Sequence, residues 1–251
     1  MEALTLDAAD APWNRDFPLP LHALGTGRAG YGYAPGVIPW LVKHSSDYDL
    51  IVVNGLWQFG SYAVWRATRR TGGPYVVFPH GMLDPWFKRH YPLKHLKKWL
   101  YWPWAEYRVL RDAKAVLFTS EEERLEARKS FWLYRCREEV PGFGIEPPPS
   151  VDGALFRRKF PELEGKRLLL FLGRFHEKKG CDLLLRAFQR VLGQNRPELH
   201  LVMAGPTDNS YAAEMVRLSR ELGLEKRVTW TGMLSGDLKW SAFRAAETFL
   251  L

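Results

Sequence analysis

The residues best placed to do chemistry are two cations that follow an apolar run. Leu168 to Leu172 ends in Gly173-Arg174, and Phe175-His176-Glu177-Lys178-Lys179-Gly180 then leads into a helical pattern from Asp182 to Leu192. Gly173 lets the backbone come close to a ligand. The guanidinium of Arg174 is a planar fork for two phosphate oxygens, and Lys179 adds a mobile point charge five residues on. The helix that follows contributes about half a positive charge at its N-terminus, in the same direction. Such a loop suits a diphosphate, although a solvated basic loop before a helix would read the same way. Two more apolar runs end in glycine: His200–Ala204 before Gly205-Pro206, and Val228–Thr231 before Gly232-Met233-Leu234. Turn glycines account for any one of these, but three in succession bring backbone near a ligand along one edge. The only cysteines, Cys136 and Cys181, are too few for a zinc site and fit a reduced chain.

These loops need strands and helices to hold them, and the pattern supplies both. Leu50–Val53, Pro74–Phe78 and Ala115–Phe118 read as buried strands. Helical stretches lie at about Phe59–Arg70 and, strongly basic, at about Leu93–Arg111. Ser120 to Glu123 is a capping box that opens another helix, with Ser120 at the N-cap and Glu123 at N3. Continuous apolar strands alternating with amphipathic helices predict parallel sheets covered by helices. The alternation stops where Pro and Gly crowd between 143 and 166, then resumes with strands at 167–172, 200–204 and 227–231 and helices between them. Three regions follow: an α/β domain over 1–142, a Pro/Gly-rich linker over 143–166 and a second α/β domain over 167–251. In such sheets ligands bind beyond the carboxyl ends of the strands.

Composition narrows the classes. Of 251 residues, 46% are hydrophobic and 25% charged, which is globular and excludes disorder. The net charge of +8 is spread evenly, with 19 Lys/Arg against 15 Asp/Glu over 1–142 and 17 against 13 over 143–251. No basic tail therefore speaks for nucleic acid. No run reaches the roughly 18 apolar residues of a membrane span. The first residues lack the basic start and apolar core of a signal peptide, so a cytoplasmic chain is expected. Gly25-Thr26-Gly27-Arg28-Ala29-Gly30 matches the dinucleotide pattern G-x-G-x-x-G. It runs into Tyr31-Gly32-Tyr33-Ala34-Pro35-Gly36, which cannot open the helix a pyrophosphate needs, so it reads as a mobile loop.

In order along the chain, Leu172-Gly173-Arg174 with Lys179-Gly180, Val202-Met203-Ala204-Gly205-Pro206 and Val228-Thr229-Trp230-Thr231-Gly232 resemble the C-terminal domain of a group 1 (GT4-type) glycosyltransferase. Phe78-Pro79-His80-Gly81-Met82-Leu83-Asp84-Pro85-Trp86 and Thr119-Ser120-Glu121 resemble its acceptor-side domain. The resemblance implies the GT-B fold, two Rossmann-like domains with parallel sheets facing across a cleft. It also implies transfer of a sugar from a nucleotide-sugar to a polysaccharide or lipid-linked saccharide, with retention and without metal or other cofactor. By the same resemblance Arg174 and Lys179 grip the donor diphosphate and neutralise the leaving group. Gly173 and Gly205 give the nucleotide room, Leu234 lies near the base, and His80 hydrogen-bonds the transferring sugar. The family's first strand with its glycine-rich loop, and its Glu-x7-Glu segment, have no counterpart. Leu4–Asp7 looks like the second strand, and Glu247 precedes the last one. The expectation is a chain truncated at both ends, with both domains incomplete. Two other readings stand beside it: an inactive nucleotide- or sugar-binding fragment, and a GT-B-type UDP-sugar epimerase.

Aromatic residues crowd one basic stretch. Between Trp86 and Tyr107, rings at Trp86, Phe87, Trp99, Tyr101, Trp102, Trp104 and Tyr107 interleave with Lys88, Arg89, Lys94, Lys97 and Lys98. Amphipathic rings beside lysines suit an anionic headgroup surface, so peripheral contact with the inner face of the cytoplasmic membrane is one expectation. A helix that packs its rings inward and leaves its lysines in water is the other. Single-stranded nucleic acid also takes such interleaving, but no OB or RRM pattern surrounds it, and nucleic acid is not an expected partner.

Overall fold

The computed structural model describes residues 1–194, 196 and 198–251. The chain divides into two compact units, Met1–Gly144 and Ile145–Leu251.

In the first unit β1 (Ala3–Thr5) and β2 (Leu21–Ala23) pair in parallel as a two-stranded sheet of their own. After α1 (Val37–His44) come β3 (Ile51–Asn54), α2 (Phe59–Thr71) and β4 (Tyr75–Phe78). Three helices follow, α3 (Trp86–His90), α4 (Pro92–Tyr101) and α5 (Glu106–Asp112), then β5 (Ala115–Leu117), α6 (Glu121–Ala127) and β6 (Glu138–Glu139). The main sheet has the order β3-β4-β5-β6, all parallel, with Ile51 opposite Tyr75 and Val76 opposite Ala115. Val53, Val77 and Val116 form one register row across the sheet and are buried in the core with α1, α2 and α5. Trp65, Trp102 and Phe118 are the largest side chains fully enclosed in this core.

Two sequence expectations change here. The basic helix over 93–111 is not one helix, because the chain breaks between Tyr101 and Glu106. Pro103 has no N–H to continue the ladder, and Trp102 turns inward to donate its indole N–H to the Trp132 carbonyl at 2.8 Å. The glycine loop over 25–30 is pinned at several points. Arg28 and Tyr33 exchange backbone hydrogen bonds, Gly27 N–H reaches the Leu6 carbonyl, and the Tyr31 carbonyl accepts from Phe59 N–H at 2.8 Å.

The second unit contains α7 (Ala154–Lys159), β7 (Arg167–Leu172), α8 (Cys181–Leu192), β8 (Leu199–Ala204), α9 (Ser210–Glu221), β9 (Val228–Gly232), α10 (Gly236–Ala245) and β10 (Ala246–Leu250). Its sheet is parallel in the order β10-β7-β8-β9. β8 is buried along its whole length, while Leu185, Phe188, Met215 and Phe171 fill one face and Phe156, Leu163, Leu170 and Ala242 the other. The Pro/Gly-rich stretch over 143–166 therefore holds structure in its second half, with Phe156 and Leu163 anchored in this core. Ser241 ties α7 down by accepting from Phe156 N–H at 2.8 Å and donating to the Asp152 carbonyl at 2.6 Å. Glu247 lies within β10 instead of before it, and its carboxylate pairs with Arg167 on the neighbouring strand at 2.8 Å.

Candidate active site

All four strands of the second sheet run the same way, so their carboxyl ends share one edge. Pairing continues past the strand ends there: Gly173 N–H donates to the Ala204 carbonyl and Gly205 N–H to the Gly232 carbonyl, both at 2.9 Å. A Cβ at Gly205 would fall onto the Gly173 carbonyl oxygen, so a side chain at 205 is excluded by the neighbouring loop. At Gly173 the same atom would meet only the Phe171 ring, at 3.6 Å.

The loop after β7 is anchored by its apolar residue. Phe175 is buried, stacked on Phe171 at 5.9 Å and edge-on to Trp230 at 5.3 Å. Beyond it His176 Nδ1 accepts from Lys178 N–H at 3.1 Å, Glu177–Lys179 forms one 3-10 turn, and Gly180 adopts φ +61° before α8. The turn leaves Arg174 and Lys179 exposed, and neither has an ion-pair partner among the described residues. Two cations on a fixed loop, ahead of a 12-residue helix, can neutralise an anion of two or more charges. Leu234 is buried in the core with Phe156 and Ala242; the exposed side chain of that loop is Met233, at 77%.

The first unit presents a comparable edge. His80, just past β4, sits at φ +50° and Gly81 at +72°. Left-handed backbone at a residue other than glycine costs of order 1–3 kcal/mol and clusters at functional sites. The imidazole Nε2 pairs with Asn54 Oδ1 at 3.0 Å, and the ring stacks on Phe78 and meets the edge of Phe143 at 5.8 Å. The loop after β3 is strained as well, with Gly55 at φ +90° and Trp57 at +68°. It is tied to the His80 loop by Leu56 N–H to Met82 S and Trp57 Nε1–H to the Met82 carbonyl, both at 3.1 Å. Beneath it Glu106, fully buried, accepts from Trp57 N–H at 3.0 Å and from the Ser61 hydroxyl. Burial pushes its carboxyl up to about 7, against the pull of those hydrogen bonds and of Lys98. Burial also lowers Lys98, whose ammonium lies 4.5 Å over the Trp57 ring.

Gly173 and Gly205 thus adjoin at one sheet edge, Arg174 and Lys179 lie on the loop that leaves it after β7, His80 stands at the other unit's edge, and Leu234 is in the core. Sequence reasoning gave no site role to Asn54, Met82 or Glu106 and read Glu123 only as N3 of a capping box. Asn54 carried a signal, a polar residue closing an apolar strand; the others act through contacts between residues 25 to 49 positions apart. No three His, Cys, Asp or Glu side chains converge on a metal position among the described residues.

Residues 2–140 match the glycosyl transferase 4-like domain, and residues 154–251 match the glycosyl transferases group 1 domain. The chain belongs to the group 1, 4-like glycosyltransferases. Within this family it is 29% identical over 229 residues to the D-inositol 3-phosphate glycosyltransferase of Mycolicibacterium smegmatis, covering 86% of this chain and 49% of that protein. It is 34% identical over 111 residues to the mannosylfructose-phosphate synthase of Agrobacterium fabrum, covering 42% of this chain and 24% of that one. Among solved structures, Anabaena Alr3699/HepE in complex with UDP-glucose superposes with a TM-score of 0.68 at 20% identity, over 92% of this chain and 60% of that one. Sucrose-phosphate synthase from Thermosynechococcus elongatus gives 0.62 at 20% identity, over 85% and 53%. The likeness to these structures is one of fold, and it gives this glycosyltransferase chain the α/β, GT-B class expected of it. The chain spans about half the length of the M. smegmatis relative.

Proposed function

We propose that this chain carries the sugar-transfer site of a retaining glycosyltransferase that takes a nucleotide-sugar as donor and a polysaccharide or lipid-linked saccharide as acceptor. The observation that carries the reading is the exposed pair Arg174 and Lys179, without ion-pair partners among the described residues, on the Phe175-anchored loop after β7 beside the glycine-closed ends of β7 and β8. There the two cations offset charge growing on a departing nucleoside diphosphate, a preorganised electrostatic effect that is often the largest catalytic contribution. Gly173 and Gly205 line the donor edge, and the Met233–Leu234 loop lies beside the base. His80, set by Asn54, hydrogen-bonds the transferring sugar. The names of the relatives add a phosphorylated polyol or sugar to the acceptors to try beside the saccharides, with UDP-glucose as the first donor. Incubation with a panel of nucleotide-sugars and acceptors, followed by product analysis, tests this. Transfer with the anomeric configuration kept supports it; tight binding without turnover indicates a binding module, and a sugar inverted at C2 an epimerase.

We also propose that α4 makes peripheral contact with an anionic membrane. The basic aromatic stretch divides in the structure: Trp102 is enclosed, whereas Leu93, Leu96, Leu100 and Trp104 are each more than half exposed, and Lys94 and Lys97 stand among them. Trp99 reaches Trp132 at 5.8 Å, which extends the apolar face beyond the helix. Among the described residues no helix is long and apolar enough to cross a membrane. Co-sedimentation with vesicles should rise with the fraction of anionic lipid and fall in Leu96→Ser/Leu100→Ser. Equal, negligible binding to neutral and anionic vesicles would contradict the contact.

A further inference from the structure

The capping signature at α6 does two jobs, and only one belongs to the helix. The Ser120 hydroxyl accepts from Glu123 N–H at 3.2 Å, which caps α6. In a capping box the glutamate would reach back to the N-cap N–H. Instead, Glu123 Oε1 accepts from Gly81 N–H at 2.6 Å, and Oε2 accepts from the N–H and hydroxyl of Thr119 at 2.8 and 2.7 Å. Its carboxylate therefore spans two strand-end loops, the one after β5 and the one after β4.

What it grips is the peptide between His80 and Gly81, both in left-handed backbone. The turn is closed by Met82 N–H to the Pro79 carbonyl at 3.0 Å, and the Gly81 carbonyl accepts from Asp84 N–H at 3.1 Å. The side chain beyond that peptide is the imidazole paired with Asn54. All three partners of Glu123 are donors, so a carboxylate satisfies them while a glutamine must turn an NH2 group toward one of them.

We infer that Glu123 is a positioning residue, which fixes the His80–Gly81 peptide in its left-handed turn and thereby aims the His80 imidazole. The inference rests on the reading that His80 meets the transferring sugar, and it assigns the support for that contact to a residue on another loop.

A double-mutant cycle on the intact chain tests it. Glu123→Gln should lower kcat by about ten- to a hundredfold, the scale of an ångström-sized misplacement, with little change in KM for the nucleotide-sugar. His80→Ala should lose at least as much, and the double variant should be no slower than His80→Ala alone, because Glu123 acts through the imidazole. Ser120→Ala, which weakens the α6 cap without touching the turn, should keep the wild-type rate. NMR of the His80 ring gives a readout independent of turnover: its proton resonances should shift in Glu123→Gln and stay in place in Ser120→Ala. A slow His80→Ala beside a wild-type Glu123→Gln, losses that multiply in the double variant, or unmoved His80 ring resonances would each overturn the role of Glu123. A silent His80→Ala would overturn the reading of His80 and this inference together, a pattern distinct from the other three.

Discussion

Glu106→Gln should make the first unit more stable at pH 8 and change it little at pH 4.5. The carboxyl is fully enclosed and its ordinary value of 4.5 is raised to about 7, chiefly by burial. The folded state therefore holds a proton that the unfolded chain has already released, and stability falls as pH rises between those two values. At about 1.4 kcal/mol per pH unit, the gap amounts to about 3 kcal/mol lost between pH 4.5 and 8. Glutamine keeps an oxygen for Trp57 N–H, 3.0 Å away in the native protein, and the Ser61 hydroxyl can accept from its amide. It has no charge to desolvate. Urea unfolding followed by tryptophan fluorescence between pH 4.5 and 8.5 measures the difference, since Trp57 and Trp102 report on this region. A stability difference between the two proteins that does not vary with pH would refute the reasoning, and so would a glutamine variant less stable than wild type at pH 8.

Two other predictions concern the second unit. Gly205→Ala should destabilise it by about 1–3 kcal/mol in urea unfolding, because the new methyl meets the Gly173 carbonyl oxygen; wild-type stability would show that this edge can open. His200 is buried, with Nδ1 unpartnered among the described residues and Nε2 on Thr229 at 2.9 Å, and burial lowers it to about 4. It is neutral in the fold, so its contribution is present above pH 6.5 and falls away by about 3 kcal/mol as pH drops toward 4. His200→Leu should lose that acid sensitivity, and an unchanged slope would contradict the assignment.

Much of the scaffold was legible because parallel strands buried on both faces are continuous apolar runs. Val76-Val77 and Leu168–Leu172 could hardly be anything else, and Val52-Val53 follows the same pattern although the edge position of β3 leaves Val52 half exposed. The break at Pro103 was visible in the chain but lost within a longer helical period. The second half of the Pro/Gly-rich stretch was hidden by its composition, although Phe156 and Leu163 are the anchors that dock it. For the candidate site, the loop carrying Arg174 and Lys179 could be found because charge, glycine and a helix start are all local signals. The supports of His80 could not. Asn54, Glu106 and Glu123 are polar residues with ordinary local readings, and a capping box is satisfied on paper by spacing alone. Their partners lie 26 to 49 residues away, where only the folded chain brings together the donors that compete for each carboxylate.

The central claim is that Arg174 and Lys179 neutralise a departing nucleoside diphosphate. Steady-state transfer by Arg174→Ala and Lys179→Ala, compared with wild type on the best nucleotide-sugar, tests it most directly. Each should lose about 2.7–4 kcal/mol in kcat/KM, the scale of a removed transition-state donor, and Arg174→Lys should recover only part of it, since an ammonium lacks the fork. Wild-type turnover in either alanine variant would contradict the claim.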